Sequence, residues 1–192
     1  MYQAMMIKNS KRFILYCSLA GLISAWAISG MLVTVDYASG TPVGSFFAVI
    51  GFSLGYYDVG TAEAVGFTLH LLTGMTAGNI FGQFAVFWPA ISPFNVSRGV
   101  ISGMMAGMAL WAVLFVPLAT FGIQARIDDV NTSPPNQSVR AIVSHFDGLY
   151  YYLIVGGAFA FHLAYGAFMG LIAGRMYELR EKMVKKNELA QK

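Results

Sequence analysis

The stretch HLAYGAFMGLIAG, from His162 to Gly174, decides how this chain is read. It carries no charge, and behind its histidine it sets Gly166, Gly170 and Gly174 four residues apart. Residues at that interval share one face of a helix. A ridge of glycines is most useful where helices must touch backbone to backbone, as they do in lipid, where there is little hydrophobic drive for association. The spacing recurs at His70, Gly74, Gly78 and Gly82 in HLLTGMTAGNIFG, and in both copies the histidine is followed by leucine, Leu71 and Leu163.

The segments upstream of these two stretches also correspond. Gly21, Ala25 and Ser29 match Gly99, Gly103 and Gly107 in spacing, and Ile23-Ser24 matches Ile101-Ser102. The chain therefore reads as two hairpins, about 12–89 and 98–175, each a small-residue helix, an outer connection and a His-Gly helix. Two spans per half is an even number, so the halves share one orientation, unlike the inverted repeats of many transporters.

Composition agrees with a lipid environment. Of 192 residues, 57% are hydrophobic and 11% charged, against roughly 25% charged in an ordinary soluble domain. The charges cluster, leaving uncharged runs from Phe13 to Val35, Ala64 to Ser97, Gly99 to Ala125 and Gly148 to Gly174. Each is longer than the roughly 20 residues that cross a bilayer. The expected fold is an all-α polytopic membrane protein. Its four-helix transmembrane bundle has spans at about 12–35, 63–89, 98–123 and 148–175, outer loops at 36–62 and 124–147, and a tail at 176–192.

Charge sets the orientation, because cytoplasmic loops carry the excess of Lys and Arg. Lys8, Lys11, Arg12, Arg98 and the tail from Arg175 to Lys192 hold ten of the twelve basic residues on one side. The other side receives Arg126 and Arg140 with Asp36, Asp58, Asp128, Asp129 and Asp147. Both termini are expected in the cytoplasm, at the cell membrane. Lys8, Lys11 and Arg12 before a stretch ending in Ala25-Trp26-Ala27 imitate a cleavable signal, but the internal counterpart of this segment argues that it is retained. Residues 43–57 (VGSFFAVIGFSLGYY) are too short to cross unaided. They read as a re-entrant or interfacial segment anchored by Tyr56 and Tyr57. The 124–147 loop, with Pro134-Pro135, reads as a polar surface excursion whose Asn131 and Asn136 open glycosylation sequons. Glu178 with Lys182 and Glu181 with Lys185, at i,i+4, extend the last helix beyond the membrane. Arg180, Lys182, Lys185 and Lys186 there read either as a solvated flank or as a contact for anionic lipid.

His70 and His162 are the first candidates for a polar site, since ionisable side chains at membrane depth point to function. Paired imidazoles suit copper, zinc or haem iron, and equally suit hydrogen bonding across a helix interface. Glu63, two turns before His70, reads either as its partner in a proton path or as an acid of the first helical turn. Asn79 and Gln83, stacked at i,i+4, read either as lining water or, since buried amides need partners, as a bridge between helices. Met104, Met105 and Met108 read as apolar filler before Cu(I) ligands. Pro117 should kink the third span, and His145 with Asp147 forms a weak surface metal pair. Cys17 stands alone, so there is no disulfide framework. There is no basic patch interleaved with aromatics for nucleic acid, and no nucleophile elbow or phosphate loop.

Three functions remain open: an accessory, structural subunit of a multi-subunit membrane complex; a small oligomeric transporter or channel; and a haem- or copper-binding membrane protein using the paired histidines. No cofactor is expected beyond bound lipid. In HLLTGMTAG from His70 to Gly78, HLAYGAFMG from His162 to Gly170, and its overall size, the chain resembles the small accessory membrane subunits of archaeal ammonia monooxygenase. The resemblance implies a supporting role beside copper-bearing partners and carries no catalytic residue to this chain.

Overall fold

A computed structural model describes residues 10–93, 95–133, 135–146 and 149–190. Lys8, Pro134, Asp147 and Lys192, weighed above, lie outside the described residues. Those described are helical or in short connections, with no strand among them. Three helical stretches, Ser10–Ser39, Val96–Asp128 and Ile154–Val184, are long and apolar enough to cross a membrane. Large apolar side chains such as Trp26, Phe87, Val113 and Phe121 are exposed along the helices. A surface of that kind belongs to a membrane-embedded protein, whose solvent is lipid.

Helix α1 (Ser10–Ser39) runs through the first uncharged stretch and stops at Gly40, whose φ of 73° is left-handed. There the amide of Thr41 bonds back to the carbonyl of Asp36 and that of Gly40 to Tyr37, a Schellman end that glycine permits. Helix α2 (Ser45–Ser53) follows, within the segment read as re-entrant or interfacial, and closes in the same way at Gly55.

Helix α3 (Val59–Phe87) has 29 residues, about 43 Å at 1.5 Å per residue. It is long enough to span, but Glu63, His70, Asn79, Gln83 and its threonines dilute its hydropathy, so it is not one of the three most apolar stretches. It opens on Asp58, whose Oδ1 accepts the Thr61 amide (3.0 Å) and hydroxyl (2.6 Å). These two donors hold the Asp58 carboxyl below the usual carboxylate range.

Helix α4 (Val96–Leu110) begins at Asn95, whose side chain accepts the Arg98 amide. It continues through two π-helical stretches, Trp111–Phe115 and Leu118–Ile123, on either side of Pro117. The widened turns accommodate the proline's missing donor, as π-bulges do inside helices.

The 124–147 segment differs from the polar excursion expected of it. It forms helices α5 (Gln124–Thr132) and α6 (Gln137–Val143). Their apolar residues Ile127, Val130, Val139, Ile142 and Val143 are buried in one cluster with Ala48, Val49 and Phe52 of α2 and Ala62 of α3. The physical reason is helical periodicity at i, i+3 and i+4, which outweighs the polar average of the segment. Asn136 caps α6 by accepting the Val139 amide, and its Nδ2 donates to the Tyr57 carbonyl. Helix α7 (Leu149–Ala190) has 42 residues.

The chain divides into two compact units. One holds the described parts of 1–25, 74–108 and 162–192, and the other holds 26–73 and 109–161.

Candidate functional site

In the first unit the small residues of each hairpin meet. A methyl placed on Gly21 would overlap the Gly74 carbonyl oxygen and stand 3.0 Å from the Gly78 Cα. One on Gly74 would strike Ala25, one on Gly78 the Cys17 carbonyl, and one on Gly82 the Cys17 side chain. In the second hairpin, Gly99 faces Gly170, with the Gly174 Cα near by, Gly103 faces Gly166 and Gly170, and Gly107 faces the His162 carbonyl and Gly166. Gly174 in turn lies against Asn95 and Val96. Each contact is backbone on backbone or nearly so, which is the packing that small-xxx-small ridges provide.

Polar bonds reinforce these faces. Gln83 donates to Asn79 (2.6 Å), Asn79 to the Ser18 hydroxyl (3.0 Å), and Ser18 to the Ile14 carbonyl (2.9 Å). Asn79 thus bridges α3 to α1, and Gln83 supports it from the next turn of α3. Tyr165, buried in α7, donates its hydroxyl to the Gly74 carbonyl at 2.6 Å and touches the Met169 sulfur at 3.6 Å. Glu178 accepts the Val96 amide at the start of α4 and pairs with Arg175 at 3.4 Å. Its sequence neighbour at i,i+4, Lys182, is not the partner it takes.

The second unit contains a carboxylate that sequence reasoning treated only as part of the outer charge balance. Asp36, 1% exposed, accepts the Gly44 amide at 2.8 Å and the Thr41 hydroxyl at 3.2 Å. It thereby anchors the start of α2 to the end of α1. Gly44 has a φ of 91°, and a Cβ there would stand 2.9 Å from the Glu63 carboxyl carbon. Asp36 and Glu63 lie close enough for their charges to repel. Glu63 is not in the first turn of α3, because the helix starts at Val59. The reading as an acid of the first helical turn therefore falls, and Glu63 instead lies against the Gly44 turn. Two further close approaches seat α2 on α3: Gly51 on Ala62 and Gly66 on the Phe47 carbonyl.

His70 lies in this unit, its ring 5.6 Å from that of Phe47 and tilted by 58°. His162 belongs to the other unit, half-buried, its carbonyl against Gly107. Ser29 is buried in the second unit. The His145 ring nitrogen bonds the Ala141 carbonyl at 2.8 Å. Met104, Met105 and Met108 do not fill the interior: all three are exposed on α4. Among the described residues no group of three His, Cys, Asp or Glu side chains comes together.

No protein family, curated protein or solved structure compared with the chain matches it. Its chemistry is therefore read from its own residues. They form glycine faces that close helix against helix, amide and hydroxyl bonds that fix their register, and a buried acid that holds a short helix in place.

Proposed function

We propose that this chain is a four-span membrane protein with both termini cytoplasmic, built as two parallel hairpin repeats. In this reading it is a non-catalytic accessory subunit of a larger membrane complex. The observation that carries the reading is the backbone-on-backbone approach at Gly21, Gly74 and Gly78 and at Gly99, Gly103, Gly166 and Gly170. Interiors closed in this way suit a rigid scaffold and leave little room for a substrate. The glycine ridges are occupied within the chain, so a partner would meet other surfaces. The exposed methionines of α4, with Ile101, offer a soft apolar face, and methionine adapts readily to a partner's shape.

The resemblance of the His70–Gly78 and His162–Gly170 stretches to accessory subunits of archaeal ammonia monooxygenase suggests the setting, a copper monooxygenase assembly whose metal sits in other chains. A second reading, a small oligomeric transporter or channel, is favoured by the Asp36 and Glu63 pair and by the polar residues of α3.

Purification from native membranes in mild detergent separates the two. Comigration with different membrane subunits, identified by mass spectrometry, supports the accessory role. A homo-oligomer that passes solute in liposomes replaces it with the transporter. A Soret band or stoichiometric copper that disappears when His70 and His162 are both changed to Gln would instead support cofactor binding.

A further inference from the structure

Helix α2 is bracketed by glycines of positive φ, Gly40 (73°) and Gly44 (91°) before it and Gly55 (90°) after it. Glycine adopts such conformations without strain, so both ends of α2 can turn, and whatever holds its first turn decides where it lies. Asp36 holds it. The Gly44 amide and the Thr41 hydroxyl bond to its carboxyl, and the Ser45 and Phe46 amides also face it. These donors, at the amide end of a helix, offset part of the cost of burying its charge. Glu63 approaches the same glycine on its Cα, where a Cβ would stand 3.0 Å from Oε1. Glu63 is half-buried, and among the described residues no donor or cation reaches its carboxyl.

The other ionisable groups of this unit do not relieve the pair. Helix α2 has none, and neither do 111–123 of α4 or 154–161 of α7. On α3, His70 lies two turns on, against Phe47, and just before the helix Asp58 is taken up with Thr61. On α1, Tyr37 is exposed, and in the connection after α2 Tyr56 is exposed while Tyr57 packs on the apolar cluster. Helices α5 and α6 turn apolar residues to α2 and leave Arg126, Asp128 and Arg140 exposed, with His145 exposed just beyond.

We infer that Asp36 and Glu63 form a pH-sensitive latch on α2: the pair holds one proton, on Glu63, and its release sets two charges against the Gly44 turn and frees the first turn of the helix. Two carboxylates without a cation between them share a proton because ionising both is costly. The proton stays on Glu63 because Asp36 has the donors. The latch therefore grips while Glu63 is protonated and loosens as pH rises. A hold that depended on ionised Asp36 alone would have the opposite sign, since protonation would break it. The latch stands or falls separately from the accessory-subunit reading.

The test is hydrogen exchange of the full-length protein in mild detergent at about pH 5 and about pH 8, read as protection factors so that the intrinsic pH dependence of exchange is divided out. Protection of the Gly44, Phe47 and Ala48 amides, which bond to Asp36 or to the Gly44 carbonyl, should fall about tenfold between the two, as for the release of one proton over about one pH unit. Amides from Gly99 to Gly107, in the other unit, should not change. Glu63→Gln, which mimics the protonated acid, should keep the low-pH protection at both values. Asp36→Asn should also lose the pH dependence, from a lower starting protection, and His70→Gln should retain it. Protection that is flat or that rises with pH in the unaltered protein overturns the latch, as does a fall that persists in Glu63→Gln. A fall shared by Gly99 to Gly107 is general loosening, and one abolished by His70→Gln gives the effect to the imidazole; either result also overturns it.

Discussion

Replacing Gly103 by alanine tests the packing of the second hairpin most directly. The added methyl would fall on the Gly166 carbonyl oxygen, 2.9 Å from the Gly170 Cα and 3.0 Å from the Gly166 carbonyl carbon. All three are backbone atoms, so no side chain can rotate out of the way and the helices themselves must separate. A gap of about 1 Å forfeits up to half of the dispersion energy of the atoms that line it, and overpacking of this kind costs about 1–3 kcal/mol. Alanine also favours a helix over glycine by about 1 kcal/mol, which masks part of the loss. Gly156, in α7 and with nothing within 4 Å of its Cβ position, supplies the control. Gly156→Ala receives the propensity gain without the clash. The two variants should therefore differ by about 1–3 kcal/mol. For a chain of this size that is about 2–12 °C in Tm at 2–4 °C per kcal/mol, read by thermal denaturation of the full chain in one detergent. If both variants melt within about 1 °C of each other, the helices do not meet at Gly103 and the packing argument fails.

Asp36→Ala should release the start of α2, at about 1.5–3 kcal/mol for a lost hydrogen bond to a charged group, with Asp36→Asn intermediate. Hydrogen exchange at the amides from Gly44 to Phe47 should quicken, and unchanged exchange argues against the anchor. Tyr165→Phe should lower stability by about 0.5–1.5 kcal/mol through loss of the bond to the Gly74 carbonyl, and an unaltered melting curve would contradict that bond. A double-mutant cycle with Ser18→Ala and Asn79→Ala should return a coupling near 0.6 kcal/mol, as for polar pairs between membrane helices, whereas strict additivity removes the bridge. Cys17 is fully buried, so a maleimide should label the protein only after denaturation. With Cys17 replaced, a cysteine at Ser138 should react with an impermeant reagent from outside the cell and one at Lys186 only after permeabilisation. The reverse pattern inverts the topology.

The helical, membrane-embedded character was legible because uncharged runs and four-residue glycine spacing are direct consequences of lipid as solvent. Spacing identifies a smooth face, but it does not say which helix meets it. That Gly103 lies against Gly166, or Cys17 against Gly78, depends on how far each helix is displaced along its neighbour. The short helices α5 and α6 were obscured by Pro134-Pro135 and the polar composition around them, although Asn136 as a cap and Val139, Ile142 and Val143 on one face were available signals. Asp36 could not be recognised from its neighbours in sequence. Its partner amide lies eight residues on, across a turn that Gly44 closes with a positive φ. A first-turn position for Glu63 follows only from a helix start near residue 63; the start at Asp58 is marked in the sequence by only one aspartate and one threonine.

Helix α7, with 42 residues, is about 63 Å long at 1.5 Å per residue. A bilayer including its headgroups is about 45 Å thick. Even upright, the helix overshoots by about a dozen residues, enough for a rigid outrigger in water at the carboxyl end. Arg180, Lys182 and Lys186 lie on or near that overhang, so brief trypsin treatment of sealed vesicles with the right face outward should shorten the protein while its lipid-embedded portion remains whole.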